Sequence, residues 1–146
     1  MTTLTIRHQV GINAPAHSVY QALTDVNQLA GWWTTDTRGA SEIGRELEFW
    51  FGDFCQKFQV TRLEPDHRVA WRALDGGTKE WTGTEVSFDL SQADGQTAVS
   101  FSHAGWAEDA TFYPHCSTKW AVFMLSLKDL VETGKGRPAP EDVQIS

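Results

Sequence analysis

The sequence predicts an α+β fold in which a curved antiparallel sheet packs on one long C-terminal helix. Three observations support this prediction: a central stretch of alternating apolar and polar residues, an apolar stripe at helical spacing near the end of the chain, and two short helical patterns near its start. The 146 residues, 40% of them hydrophobic, are enough for one core. We therefore expect a single domain over residues 1–146.

The first element is a strand over residues 4–12, followed by two short helices. One face of the strand carries apolar side chains and a lone histidine, namely Leu4, Ile6, His8, Val10 and Ile12. Asn13 and Pro15 then suit a helix start. Apolar residues at helical spacing continue through Leu23 for the first helix and through Trp32 for the second.

The middle of the chain has the period-two pattern of an antiparallel meander. Turn residues such as Gly52-Asp53 and Asp94-Gly95 separate the runs. We expect strands over residues 47–51, 54–63, 68–74, 81–90 and 97–103, with an additional short strand near 35–40. Each strand should present one buried and one solvent-facing side.

A helix from about residue 109 to residue 133 completes the fold. Its apolar stripe comprises Phe112, Cys116, Trp120, Phe123, Leu127 and Val131, and Gly134 follows as a stop signal. A long helix with one apolar face needs an equally long partner, and the concave side of a twisted sheet is the available one.

Composition excludes several classes of function. The chain has 12 Lys plus Arg against 19 Asp plus Glu, a net charge of −7, so we expect no nucleic-acid partner. No apolar run is long enough for a membrane span and the start of the chain lacks a signal-peptide pattern, so we expect a soluble cytoplasmic protein. Cys55 and Cys116 lack metal-site spacing and are interpreted as buried thiols. We expect no metal and no cofactor.

Four segments carry a resemblance to a known family. Residues 12–25 read INAPAHSVYQALTD, Trp32-Trp33 follows, residues 99–106 read VSFSHAGW, and residues 120–136 end the long helix. Together they resemble the START-like or Bet v 1-like superfamily (SRPBCC, the helix-grip fold), and more closely its branch of activator of heat-shock protein 90 ATPase homologues. The resemblance implies a sheet gripping the long helix around a cavity, and leaves the chemistry to the residues of that cavity.

The predicted pocket wall follows from strand parity and from the helix stripe. The sheet should contribute His8, Phe49, Phe51, Phe58, Trp71, Phe101 and His103, and the helix should contribute Tyr113 (or Phe112), Cys116 and Trp120. Trp33 is placed at the mouth of the pocket. The alternative is that these rings simply fill the core, which needs no ligand.

The sequence leaves three functional hypotheses. The first is binding of a small hydrophobic molecule, as a carrier, sensor or stress-related protein. The second is a small cyclase, dehydratase or hydrolase that uses His103 or His8 as acid or base; no catalytic residue is assigned, because no carboxylate is placed to orient either ring. The third, implied by the resemblance alone, is chaperone contact, with a homodimer as a further partner.

Overall fold

The computed structural model describes residues 2–146 and contains seven strands, three α-helices and one 3₁₀ turn. The strands are β1 (Thr3–Ile12), β2 (Asp36–Gly39), β3 (Glu46–Phe51), β4 (Phe54–Glu64), β5 (Arg68–Ala73), β6 (Glu85–Ala93) and β7 (Gln96–Ala107). The helices are α1 (Ala16–Thr24), α2 (Val26–Trp32) and α3 (Tyr113–Thr133), and the 3₁₀ turn is Lys79–Trp81.

All seven strands belong to one antiparallel curved sheet. Their order is β1-β7-β6-β5-β4-β3-β2, so β1 and β2 are its edges. Side chains alternate between the faces as the sequence predicts: in β7, Val99, Phe101 and His103 are buried, whereas Ser100 is exposed. The predicted α+β helix-grip fold is confirmed, including the short strand that the sequence placed near 35–40.

The start of β6 differs from the prediction. The sequence placed a strand from residue 81, but Trp81 closes the 3₁₀ turn and β6 begins at Glu85. Gly83 has a φ of 83°, a conformation that interrupts an extended strand and that glycine adopts without strain. The Trp81 side chain therefore does not follow the in-and-out alternation of β6, and it points towards α3.

The long helix is shorter at its start than predicted. It begins at Tyr113 rather than near residue 109, with Phe112 as N-cap and Pro114 in the first turn. Proline suits that turn because its nitrogen needs no partner there. The predicted end is confirmed: Gly134 follows with a φ of 87° and its N–H bonds the Leu130 carbonyl. The 21 residues span about 31 Å.

The two short helices are joined through a single capping residue. Asp25 ends α1 and its carboxylate accepts hydrogen bonds from the backbone N–H groups of Asn27 and Gln28 at the start of α2. At the end of α2, the Trp32 indole N–H donates to the Ala22 carbonyl over 2.8 Å. This arrangement places Trp33, the next residue, inside the molecule with 2% of its surface exposed.

The interior lies between the sheet and α3. Trp120 of α3 contacts Phe101 of β7, with ring centroids 4.6 Å apart, and Trp33, at 4.9 Å. None of the helices in the described part of the chain is both long and apolar enough to cross a membrane.

Candidate functional site

A cavity of about 760 Å³ opens between the first half of α3, the β3–β4 hairpin and the segment that follows α3. We call residues 137–146 of that segment the strap. The largest side chains of the wall are aromatic: Trp33, Trp50, Phe51, Phe54, Trp81, Phe112, Trp120 and Phe123. Phe54 and Phe112 are 44% and 38% exposed, so they stand at the rim where the cavity meets solvent.

The residues predicted for the pocket divide into three groups. Trp33, Phe51, Cys116 and Trp120 line the cavity. Phe49, Phe58, Trp71 and Phe101 lie behind this wall, at most 1% exposed. His8, His103 and Tyr113 lie elsewhere between the sheet and α3 and do not line the cavity.

The rings of the second group are in contact with one another through Trp33 and Phe88, in tilted or edge-on pairs. Trp33 lies 4.2 Å from Phe49, Phe49 lies 5.6 Å from Trp71, and Phe88 lies 5.3 Å from both Trp71 and Phe101. Aromatic pairs at such distances attract beyond their burial alone. These rings close the interior under β5, β6 and β7 and support the wall of the cavity from behind.

His103 is fully buried and has hydrogen bonds at both ring nitrogens. The Trp120 indole N–H donates to Nδ1 over 3.1 Å, and Nε2 lies 2.7 Å from the Thr84 hydroxyl. The Thr84 hydroxyl in turn donates to the Trp81 carbonyl. Because Nδ1 accepts, the proton of the neutral ring is on Nε2 and points at Thr84. The chain of bonds is complete without a ligand.

Burial lowers the pKa of His103 from 6.5 to about 3, since desolvation disfavours the charged ring. The ring is neutral throughout the physiological range. Its contacts show a structural role: it links Trp120 on α3 to the turn that carries Trp81, and both indoles line the cavity.

His8 and Tyr113 fasten the edge strand β1 to α3. The His8 ring lies 2.9 Å from the Ser117 carbonyl through Nε2, and the Tyr113 hydroxyl donates to the Thr5 carbonyl over 3.2 Å. The Tyr113 ring also packs edge-on against Trp106 at 5.5 Å. These contacts cover the open edge of the sheet.

The start of α3 is capped by a residue from the 3₁₀ turn. One carboxylate oxygen of Glu80 accepts from the Phe112 N–H over 2.8 Å, and the other accepts from the Thr111 N–H over 3.2 Å. A carboxylate at this position satisfies free N–H groups and complements the helix dipole. It also holds the neighbouring Trp81 against the first turn of α3, where Cys116 lies.

The two cysteines differ in burial. Cys116 is 3% exposed, and desolvation raises the pKa of its thiol to about 12, which makes the thiolate scarce at neutral pH. Cys55, expected to be buried, is half-buried on β4. Within residues 2–146, no group of three or more His, Cys, Asp or Glu side chains is arranged to hold a metal ion.

The strap is the part of the site that the sequence reasoning missed. Its first residues are docked firmly: the Arg137 N–H donates to the Ser126 hydroxyl over 2.7 Å, and that hydroxyl donates to the Trp32 carbonyl. Gly136 passes so close that a Cβ would lie 2.4 Å from the Gly31 carbonyl oxygen. Ala139 then pairs with the chain beside Thr34, donating to Trp33 and accepting from Thr35.

The outer part of the strap is held by one side chain. Lys119 of α3 forms an ion pair with Asp142 and donates to the Val143 carbonyl over 2.7 Å. Asp142 is 7% exposed. The signal available in the sequence was weak: Val143 and Ile145 are apolar residues beyond the end of the helix, but they have no periodicity that assigns them a partner.

The comparisons with known proteins agree with this architecture. Residues 13–132 match the family described as "Activator of Hsp90 ATPase homolog 1-like protein", and the chain belongs to that family. The sequence resemblance to the activator homologues is thereby confirmed. No curated protein matches the chain at a significant level.

Solved structures extend the similarity over almost the whole chain. The Aha1 dimer from Colwellia psychrerythraea is 44% identical, with a TM-score of 0.84 over 91% of this chain and 99% of that one. BH1534 from Bacillus halodurans is 23% identical, with a TM-score of 0.74 over 90% and 100%. CalU16 from Micromonospora echinospora is 22% identical, with a TM-score of 0.69 over 95% and 78%. The last two share the fold.

Proposed function

We propose that this protein binds one small, mainly apolar molecule in the cavity between α3, the β3–β4 hairpin and the strap, as a carrier, sensor or sequestering protein. The observation that supports the proposal is the cavity itself, about 760 Å³, with eight Trp and Phe side chains in its wall. Ligand sites typically have volumes of about 300–1,000 Å³ and apolar walls with a few polar groups.

The energetics favour an apolar occupant. Burial of apolar surface contributes about 25 cal/mol per Å², and indole and phenyl rings add favourable stacking with a flat ligand. The sequence hypothesis placed the ligand between sheet and helix near Phe58, Trp71 and Phe101. The proposal moves it towards β3 and the strap, because those three rings are covered by others.

Tryptophan emission tests the proposal, because Trp33, Trp81 and Trp120 line the cavity. Titration with pyrenebutanol should shift or quench this emission saturably at one probe per chain, with a negative heat-capacity change by calorimetry. Native mass spectrometry of protein from its own host should then reveal a retained mass.

A pair of variants separates binding from stability. Trp120 and Trp106 are 2% and 0% exposed, so replacing either with alanine should cost about 3–5 kcal/mol of unfolding free energy. Only Trp120→Ala should weaken pyrenebutanol binding, because Trp106 does not line the cavity. If no apolar compound perturbs the wild-type emission, the proposal is wrong and the protein works through its surface.

The hypothesis of acid–base catalysis by His103 or His8 gains no support from the geometry; the histidine that does line the cavity is His115, which is exposed. Neither His103 nor His8 lines the cavity, and the bonds of His103 are directed at Thr84 and Trp120. We therefore place the binding proposal ahead of it.

Family membership motivates a second proposal, contact with the chaperone Hsp90, together with self-association. The relevant observation is the 44% identity to the Colwellia protein, which is described as an Aha1 dimer. Stimulation of the ATPase activity of purified Hsp90 by this chain would support the first part, and sedimentation at twice the monomer mass would support the second. Unchanged ATPase activity and a monomeric mass would reject both.

We also propose a cytoplasmic location. Cys55 and Cys116 are both free thiols, the state that reducing compartments maintain. Fractionation of host cells tests this proposal, which fails if the protein is recovered with the secreted or periplasmic fraction.

A further inference from the structure

The cavity contains one strongly basic side chain in a wall whose largest side chains are aromatic. Among the cavity-lining residues that the structure describes, Lys119 is the only lysine or arginine. Its ammonium pairs with Asp142, donates to the Val143 carbonyl over 2.7 Å and lies 5.5 Å from the centre of the Phe123 ring. Both polar partners of this cation belong to the strap.

Besides Lys119 and Asp142, the wall contains one further aspartate, Asp36, and it already has a partner. The Asp36 carboxylate accepts two hydrogen bonds from Arg38, over 2.8 and 2.9 Å, and this pairing lowers the pKa of the Asp36 carboxyl. Lys119 is therefore the lysine of the wall whose carboxylate partner, Asp142, a ligand could replace.

We propose that the ligand is an amphipathic carboxylic acid whose carboxylate binds Lys119 in place of Asp142, so that the strap carries a built-in competitor for the ligand's head group. This proposal rests on the proposed function, since it names the class of molecule that the cavity takes. The apolar body of the acid lies against Trp33, Trp120 and Phe123.

The exchange conserves the ion pair. Lys119 is 21% exposed at its side chain and its ammonium lies over the Phe123 ring, so removing its carboxylate partner would leave a poorly solvated charge, which is costly. An incoming carboxylate replaces the bond that Asp142 gives up, and Asp142 moves into water. A neutral ligand offers no such replacement and leaves the original pair in place.

The strap is attached in a way that permits this exchange. Its inner residues, Arg137 and Ala139, are bonded to Ser126 and to the chain beside Thr34. In the described structure, the bonds from its outer residues to α3 are those made by Lys119. Loss of the Asp142 bond therefore leaves the outer residues attached to α3 by the Lys119–Val143 hydrogen bond, while the inner ones stay docked.

Two probes with the same body test the proposal: pyrenebutanoic acid and pyrenebutanol, titrated at neutral pH by tryptophan emission. The wild type should bind the acid more tightly than the alcohol. Asp142→Asn, which removes the competing charge, should tighten acid binding about tenfold, the scale of one charge-assisted bond, and change alcohol binding less than about twofold. Glu141→Gln is the matched control. Glu141 is exposed and precedes Asp142 in the chain, and this substitution removes the same charge.

The cation is tested by a variant that leaves no unpaired charge. The double variant Lys119→Met/Asp142→Leu should lose the preference for the acid over the alcohol, measured as the ratio of the two affinities in that variant. Lys135→Met, an exposed lysine outside the cavity, should keep that preference. Thermal unfolding of each variant confirms that it is folded before titration.

The outcomes separate the two levels of the proposal. If both probes bind but Asp142→Asn tightens them equally, the strap acts only as a steric cover and the inference is wrong while the cavity function stands. Equal affinity of the wild type and the double variant for the acid would likewise overturn it. If neither probe binds any variant, the proposed function fails first.

Discussion

Under β5, β6 and β7 the aromatic rings pack against one another, whereas beside β3 and the strap similar rings surround a cavity of about 760 Å³. We call these regions the closed half and the open half. In the closed half, Trp71 and Phe88 come from central strands and are fully buried. In the open half, Phe51 and Phe54 belong to the hairpin next to the sheet edge, and a strap without regular structure replaces a further strand.

The difference teaches that aromatic content alone does not make a binding site. Rings on central strands have neighbours on both sides and across the core, so they close the space between them. Phe51 and Phe54 lie at the tip of the β3–β4 hairpin, beyond the residues that pair with β2 and β5, and the strap lines the same cavity. The interior therefore remains open beside the tip of this hairpin.

The largest expected effect comes from opening the closed half. Trp71→Ala removes a fully buried indole that contacts Phe49 at 5.6 Å and Phe88 at 5.3 Å, and should lower the unfolding free energy by about 3–5 kcal/mol. Phe54→Ala in the open half should change it by about 0.5 kcal/mol or less, because Phe54 is 44% exposed. Urea denaturation measures both. Similar losses in the two variants would contradict the division into halves.

An intermediate loss of unfolding free energy is expected when the pH is lowered. The pKa of His103 is lowered to about 3 in the folded state against about 6.5 in the unfolded chain. Between these values the unfolded state binds more protons, so stability is fully present above about pH 6.5 and is lost as the pH falls towards 3. The loss from this one group should be about 2 kcal/mol between pH 7 and pH 5.

The variant His103→Gln should remove this part of the pH dependence, in addition to destabilising the protein at pH 7. His115→Gln is the control, because His115 is exposed on α3. An unchanged difference between pH 7 and pH 5 in His103→Gln would show that another group carries the acid sensitivity.

The smallest expected effect concerns the hydrogen bonds between Glu80 of the 3₁₀ turn and the start of α3. Glu80→Ala deletes the carboxylate that accepts from the N–H groups of Thr111 and Phe112, and should cost about 1 kcal/mol of unfolding free energy. Glu108→Ala removes an exposed carboxylate nearby and should cost less. If Glu108→Ala is the more damaging variant, Glu80 is not the cap of α3.

Prediction from sequence was most successful where a pattern repeats. Alternation gave the strands, and the stripe from Cys116 to Leu127 gave the long helix and its buried face. The start of α3 could not be predicted from the local sequence, because its cap, Glu80, lies about 30 residues away along the chain. Trp81 was assigned to a strand because its neighbours alternate, although a 3₁₀ turn rotates it towards the helix.

The site was harder to predict than the fold for a similar reason. Strand parity correctly indicates that Phe58, Trp71 and Phe101 face inwards, but it does not tell which inward rings are covered by others. Trp33, Phe51, Cys116 and Trp120 line the cavity, whereas Phe49, two residues from Phe51 on β3, is covered by Trp33 at 4.2 Å. His103 is placed between Thr84 and Trp120 by tertiary packing, which no local pattern encodes.

By itself the sequence determined the α+β class, the order of the elements, the burial side of each strand and the family resemblance, because these follow from local periodicity and from short ordered motifs. Only the tertiary structure decided where the interior remains open, that the strap closes it through Lys119 and Asp142, and that His103 is held neutral. These features depend on contacts between residues distant in the chain, since a cavity and a depressed pKa are both properties of what surrounds a side chain.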